Sequence, residues 1–196
     1  MITLHMFSNV NTGTIVMAVL AVLIAAYLLY LERKEKSDPT VALCKQYETL
    51  TVERLAAIPD EELLTAVTAN LLGKQDRRHP DLSVTLPLLS PGRCGVYSVW
   101  LVCHELEKGE LGAFFGSPSR RFGELAATGF DLVGADACAA AMQAAVEAYV
   151  THPKKQRGQV PWDTLTVQLR QAVEAEHPLG LCVQYIRDNP EQFADA

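Results

Sequence analysis

Cys103 and His104, adjacent near the middle of the chain, have the side chains best suited to chemistry. A thiol beside an imidazole is the pairing that activates a cysteine nucleophile, provided that the two groups lie within hydrogen-bond reach. Neighbouring residues on a helix point about 100° apart and do not face each other. Since this region has a helical pattern, we predict no nucleophile and base pair here.

The segment from His104 to Lys108, with the sequence HELEK, begins like the zinc-binding helix of a metalloprotease. That site requires a second histidine four residues after the first, and Lys108 occupies this position. The chain also has no glycine-rich phosphate loop, no GxSxG elbow and no EF-hand spacing. We therefore predict no catalytic residue, cofactor or metal ligand. The alternative is an enzyme whose site assembles from distant residues, with His104, Glu105 and Glu110 as candidates.

Acidic side chains around the same region suggest a binding role instead. The candidate residues of this acidic face are Glu105, Glu107, Glu110 and Glu124. Complementary potentials raise the rate of encounter with a basic partner and fix its orientation. A solvated helix end would carry the same residue types, so both interpretations stay open.

Charge and cysteine content limit the function classes. The 196 residues include 17 Lys and Arg and 23 Asp and Glu, giving a net charge of −6, and every one of these residues lies at or after residue 32. An acidic balance repels phosphates, which disfavours direct binding to nucleic acid. The five cysteines are odd in number and include no CxxC pair. We expect buried, reduced thiols in a reducing compartment.

An uncharged apolar run covers residues 14–31. Its 18 residues would span roughly 27 Å as a helix, which is close to the thickness of a bilayer core. Tyr27 and Tyr30 fall where amphipathic aromatic rings favour the headgroup level, and Arg33 and Lys34 follow, which places the C-terminal side in the cytoplasm. The run therefore predicts a transmembrane helix with the lipid bilayer as its partner.

This anchor sets the predicted domain organisation. The parts are a short N-terminus outside the cytoplasm (1–13), the transmembrane helix (14–31), a charged linker (32–37) and a cytoplasmic helical domain (38–196). The predicted localisation is that of a single-pass membrane protein.

Beyond the linker, apolar residues recur at helical spacing and capping residues mark the helix ends. The predicted helices run from 39 to about 49, from 60 to 73, from 91 to 109, from 119 to 128, from 135 to 150, from about 163 and from 178 to 189, with a connecting segment at 74–89. Only 82–86 alternates like a strand. The fold class is thus all-α, an N-terminal transmembrane helix followed by a compact multi-helix bundle.

Several short motifs resemble a helical bacterial family of unassigned function that includes a DNA-mimic protein. The resemblance covers roughly residues 60–193 and rests on YSVW at 97–100, EKGE at 107–110, the pair at 114–115, GELAATG at 123–129 and YIRDNPEQF at 185–193. The family's turn rich in Asn and Gly is replaced here by Leu111-Gly112-Ala113. The resemblance implies a helical fold and, for the mimic member, acidic side chains that imitate DNA phosphates.

We interpret the chain as a membrane-anchored protein-interaction module that presents an acidic surface to a cytoplasmic protein. A decoy resembling the DNA mimic, which would occupy a DNA-binding protein, is an alternative, as is the enzyme described above.

Overall fold

The computed structural model describes residues 17, 20–25, 27, 39–75, 82, 86 and 89–195. The chain divides into two units, Met1–Gln46 and Tyr47–Ala196. Over the described residues the structure is helical and contains no strand, which confirms the all-α prediction.

The α-helices are numbered here in chain order. They are α1 Pro39–Gln46, α2 Val52–Ala57, α3 Asp60–Gly73, α4 Pro91–Lys108, α5 Leu111–Gly116, α6 Gly123–Leu132, α7 Asp136–Thr151, α8 Trp162–Glu176 and α9 Pro178–Asp188. The 3-10 helices whose bounds the structure describes are Pro118–Phe122, Lys154–Gln159 and Pro190–Gln192. Helix α1 belongs to the first unit and the others to the second.

The predicted membrane anchor requires correction. No helix among the described residues is long and apolar enough to cross a membrane. Helix α4 has 18 residues but carries Arg93, Glu105, Glu107 and Lys108, whereas a membrane span needs about 20 predominantly apolar residues. We therefore correct the predictions of a single-pass membrane protein, of the lipid bilayer as a partner and of the cytoplasmic localisation derived from them.

Most of the apolar run lies outside the described residues. Within 14–31 the structure describes residues 17, 20–25 and 27, and residues 20–25 are helical. Of the residues predicted at a membrane interface, Tyr27 is exposed, whereas Tyr30, Arg33 and Lys34 lie outside the described residues, as does the linker 32–37.

Local chemistry sets the ends of the central helix α4. Ser90 caps its N-terminus by accepting a hydrogen bond from the Arg93 amide at 3.0 Å, and Pro91 occupies its first turn. Gly109 follows its last residue, as predicted. Helix α4 contacts α3, α5, α6, α8 and α9, so it lies at the centre of the second unit.

The prediction of a helix from 119 that ends at 128, before Gly129, is wrong. The segment begins as the 3-10 helix Pro118–Phe122, and α6 then continues through Gly129 to Leu132. Gly129 contacts the backbone of Gly95 in α4, and the absence of a side chain allows the two helices to approach closely. A glycine is needed at position 129 because of this close contact between two helices, and not because a helix ends there.

Helices α6 and α7 form a helical hairpin. Gly134, with φ of 81°, makes the turn between them, and glycine adopts this conformation without steric cost. Small residues of α7, including Cys138 and Ala145, are fully buried, while α7 also packs on α8. This alanine-rich helix therefore packs through its small side chains against both α6 and α8.

Residues 193–195, near the C-terminus, contact both α4 and the segment that precedes α2. The buried Arg93 guanidinium donates to the backbone oxygens of Phe193 and Ala194 at 2.6 and 2.8 Å and to the Asp195 carboxylate at 2.8 Å. The amide of Asp195 donates to the Leu50 carbonyl at 2.7 Å, and the amide of Leu50 donates back to the Asp195 side chain at 3.0 Å. Residues 193–195 thereby join α4 to the segment that precedes α2.

Candidate functional site

The predicted acidic face begins at the C-terminal end of α4, where the helix emerges from the core. Val96 and Val99 are fully buried, whereas His104 and Glu105 are half-buried and Glu107 is exposed. Three of the four predicted glutamates, Glu105, Glu107 and Glu110, are close together in the sequence around this helix end.

Basic side chains lie among these glutamates. Lys108 Nζ is 3.6 Å from Glu105 Oε1, one turn away on the same helix. Arg170 of α8 donates to the backbone carbonyls of Leu106 and Gly109 at 3.0 and 2.8 Å. A guanidinium at this position satisfies carbonyls left unpaired at the end of α4 and complements the helix dipole. The surface around the end of α4 is therefore of mixed charge.

Two of the four glutamates, Glu110 and Glu124, lie at the beginnings of helices. Glu110 is the N-cap residue of α5, and its carbonyl accepts hydrogen bonds from the amides of Ala113 and Phe114. Glu124 is exposed in the first turn of α6, where a carboxylate is favoured by the helix dipole. Glu124 therefore lies on α6, whereas the other three glutamates lie in α4 or at the beginning of α5.

His104 is held by local contacts along α4. Its ring stacks on Trp100, with ring centroids 5.3 Å apart and an interplanar angle of 12°, and its Nδ1 lies 3.8 Å from Glu107 Oε2. Burial, assisted by the nearby Glu107 carboxylate, raises the pKa of the Cys103 thiol to about 12. A thiol with such a pKa is a poor nucleophile at neutral pH, so the structure provides no activated Cys103 beside His104.

The turn in which this chain departs from the resembling family is part of a packed aromatic cluster. Phe115 stacks between Tyr149 and Trp162, with ring centroids 5.0 and 5.1 Å away. A methyl group on Gly112 would lie 3.1 Å from the indole of Trp162. Phe114 and Phe115 are buried, so this aromatic pair belongs to the core.

Sequence reasoning missed an open groove between α6 and α7. It has a volume of about 630 Å³ and is lined by Ala127, Thr128, Asp131, Asp136, Ala139, Ala140 and Gln143. Neither His104 nor Glu105 nor Glu110, the candidates for an assembled catalytic site, lines it. Among the described residues, no group of three or more His, Cys, Asp or Glu is placed to hold a metal ion.

The helices that form the groove carry negative charge without positive charge. Residues 122–153 contain no Lys or Arg, and their four acidic residues are Glu124, Asp131, Asp136 and Glu147. On α6, Glu124, Thr128 and Asp131 are spaced i, i+4 and i+7, so they lie on one side of the helix. We call the surface formed by this side of α6 and the matching side of α7 the α6–α7 face.

The α7 side follows the same spacing. Asp136, Ala140, Gln143 and Glu147 recur at intervals of four, three and four residues. Asp136, Gln143 and Glu147 are exposed, and the Gln143 side chain donates to Glu147 at 3.3 Å. Carboxylates of both helices therefore border the groove region, and Glu124 is the one predicted glutamate that belongs to it.

A further carboxylate stabilises the beginning of α7. Glu176, the last residue of α8, accepts hydrogen bonds from the amides of Ala137 and Cys138 at 2.8 and 2.9 Å. Slight burial raises the pKa of Glu176, but these hydrogen bonds outweigh it and the pKa is lowered. The contact joins α8 to the hairpin and fixes the end of the groove where Asp136 lies.

One sequence signal could have identified the α6–α7 face, namely the absence of Lys and Arg over 122–153. The signal is easily overlooked because its acidic residues are widely separated in the sequence. They come together only because α6 and α7 pair as a hairpin.

Comparison with known proteins identifies a family. The family model described as DMP19-like protein matches residues 88–189, just over half of the chain, which confirms the resemblance to a helical family over this range. No curated protein and no solved structure matches the chain.

Proposed function

Since the chain belongs to the DMP19-like protein family, we propose that it is a protein-interaction module that binds a positively charged partner through the α6–α7 face. The observation that carries the proposal is the charge of this hairpin. Residues 122–153 contribute four carboxylates and no cation to a chain whose net charge is −6.

A basic protein surface is the partner that such a face favours. Carboxylates without neighbouring cations produce a negative potential, and this potential accelerates the approach of a positively charged surface. The same potential repels nucleic acid phosphates, which supports a protein as the partner.

The end of α4 supports this role less well. Glu105 lies beside Lys108, and Arg170 is bound to the last carbonyls of the helix. Cations among the carboxylates reduce the local potential, and exposed ion pairs contribute little energy. We therefore place Glu124 in the binding surface and keep Glu105, Glu107 and Glu110 as a comparison surface.

The proposal can be tested with two sets of charge-neutralising substitutions, one on each surface. The first set replaces the face carboxylates (E124Q, D131N, D136N, E147Q), and the second replaces those at the end of α4 (E105Q, E107Q, E110Q). Proteins captured from host-cell extract by the full chain are compared by quantitative mass spectrometry. We expect the first set to abolish capture of a basic protein that the second set retains. Equal capture by all three forms would contradict the proposal.

A narrower form of the proposal is that the partner is a DNA-binding protein and that the carboxylates occupy its DNA site. The absence of Lys and Arg from residues 122–153 supports this form, because a substitute for DNA must present anions without cations among them. To test this form, each captured basic protein is mixed at low salt with a DNA duplex and with the chain, and the experiment measures whether the chain displaces the duplex. If simultaneous binding of duplex and chain is observed for every partner, the decoy form is wrong and the general proposal remains.

A further inference from the structure

The groove between α6 and α7 has a floor made of small side chains and a rim made of polar ones. Ala127, Ala139 and Ala140 provide only methyl groups, whereas Asp131 and Asp136 carry carboxylates. Methyl groups on the floor allow the backbone of a partner to come close, since the distance between packed helices depends on the side chains at their contact.

From this geometry, and resting on the proposed function, we infer that the groove accepts a basic α-helix of the partner. Its walls are themselves two helices, and an amphipathic helix laid into a groove is a recurrent mode of peptide recognition. The occupant we name is a helix with Lys or Arg on the side that meets the α6–α7 face.

Backbone hydrogen bonding favours a helix over an extended segment. An extended segment gains affinity by pairing its backbone with unpaired groups at a sheet edge. The interiors of α6 and α7 pair their backbone groups within each helix, so they offer no such edge. A partner helix brings its own backbone groups already paired, and only its side chains need to match the groove.

The spacing of the carboxylates defines the spacing of the partner's cations. Glu124 and Asp131 are seven residues apart on α6, which corresponds to about 10 Å along the helix axis. Basic residues at i and i+7 of a partner helix are separated by the same distance. Small or apolar residues at i+3 and i+4 would then rest on the alanine floor.

Charge argues against a second copy of this chain as the occupant. The α6–α7 face of one copy would meet the same carboxylates on another, and like charges in contact are unfavourable. A partner that carries cations has no such penalty.

The inference is tested with two synthetic probes and the full chain. The helical probe is an alanine-rich peptide with Arg at i, i+7 and i+14, and the broken probe has the same composition except for two central Ala-to-Pro replacements. Affinities are measured by fluorescence anisotropy at two salt concentrations. We expect the helical probe to bind at least tenfold more tightly than the broken one.

Variants of the chain locate the binding. Ala140→Leu places a larger side chain in the groove without changing charge, and leucine is a good helix former. Ala56→Leu on α2, at an exposed position that does not line the groove, is the matched control. We expect Ala140→Leu and Asp131→Asn each to weaken binding of the helical probe at least fivefold, and Ala56→Leu to leave it unchanged.

The other outcomes separate the two proposals. Equal binding of both probes, weakened by Asp131→Asn but not by Ala140→Leu, would overturn the helix in the groove and leave the acidic interaction face standing. Binding of neither probe would overturn the inference and would also count against the α6–α7 face as the binding surface.

Discussion

A methyl group on Gly129 would lie 2.6 Å from the carbonyl oxygen of Gly95. The two glycines therefore bring the backbones of α6 and α4 into direct contact, and the neighbouring atom is main chain that no side-chain rotation can move.

Gly129→Ala is accordingly expected to lower the free energy of unfolding by about 2–3 kcal/mol, because it overpacks a helix interface. Gly180→Ala is the matched control. Gly180 lies in the first turn of α9, where a methyl group meets nothing within 4 Å. Alanine loses less backbone entropy than glycine on folding, so this variant should gain about 0.5 kcal/mol. Urea denaturation measures the free energy of unfolding of each variant. Equal stabilities of the two variants would contradict the packing argument.

The carboxylate of Asp195 should make stability depend on pH. Burial raises its pKa, but hydrogen bonds from Lys74, the Leu50 amide, Arg93 and Asn70 outweigh burial and lower the pKa to about 2. The folded pKa is lower than that of an unfolded Asp, about 3.9, so the stabilisation is present above pH 4 and is lost as pH falls towards 2. We expect this stabilisation to amount to about 2 kcal/mol.

Asp195→Asn tests this dependence. The variant should be less stable than the parent by about 2 kcal/mol at pH 7, since the buried Arg93 loses its charged partner. The difference should shrink between pH 4 and pH 2. Asp188→Asn, at an exposed position in the last turn of α9, should change stability by less than about 0.5 kcal/mol at either pH. A difference that is constant from pH 7 to pH 2 would exclude the charged form as the source of the effect.

His177 joins α8 to α9 in the left-handed conformation, with φ of 50° and ψ of 54°. In this conformation a residue other than glycine has a steric strain of roughly 1–2 kcal/mol. Glycine avoids this strain, but its greater conformational freedom in the unfolded chain offsets part of the gain. His177→Gly should therefore raise the free energy of unfolding by about 0.5 kcal/mol, and His177→Val should lower it. Thermal unfolding of the two variants gives the comparison, and the reverse order would show that the histidine ring makes a contact that outweighs the strain.

Thiol reactivity should distinguish Cys44 from the other four cysteines. Cys94, Cys103, Cys138 and Cys182 are buried, and burial raises the pKa of each. Cys44 is the half-buried one. At pH 8 a chromogenic disulfide reagent should react rapidly with one thiol per folded chain and with five after denaturation. Rapid reaction of Cys103 in the folded chain, identified by peptide mapping, would contradict its burial.

Helix ends with local signals were predictable from the sequence. Ser90 with Pro91, and the glycines at 73 and 109, mark ends where the structure has them, because caps depend on residues within one turn. The six-residue helices α2 and α5 were missed, since fewer than two turns give too little periodicity to detect. Gly129 misled the prediction because its role depends on Gly95, which belongs to another helix.

The candidate site was predictable only in part for the same reason. Glu105, Glu107 and Glu110 are close in sequence and were noticed together, but Lys108 and Arg170 lie among them, and Arg170 comes from 60 or more positions away in the chain. Glu124 and Asp136 are brought to one face by the pairing of α6 with α7. Arg93 and Asp195, which are 102 residues apart, gave no signal at all in the sequence.

The pairing of Leu50 with Asp195 has a consequence for the order of folding. Synthesis proceeds from the N-terminus, so α2 and α3 leave the ribosome long before the carboxylate that Leu50, Asn70 and Lys74 bind, which lies 145, 125 and 121 residues further on. The contacts of Leu50, Asn70 and Lys74 with Asp195 can therefore form only after residue 195 has been synthesised. A fragment restricted to residues 88–189 would retain Arg93 but lack all three of its acceptors at 193–195, because the family-matched segment is shorter than the compact unit Tyr47–Ala196.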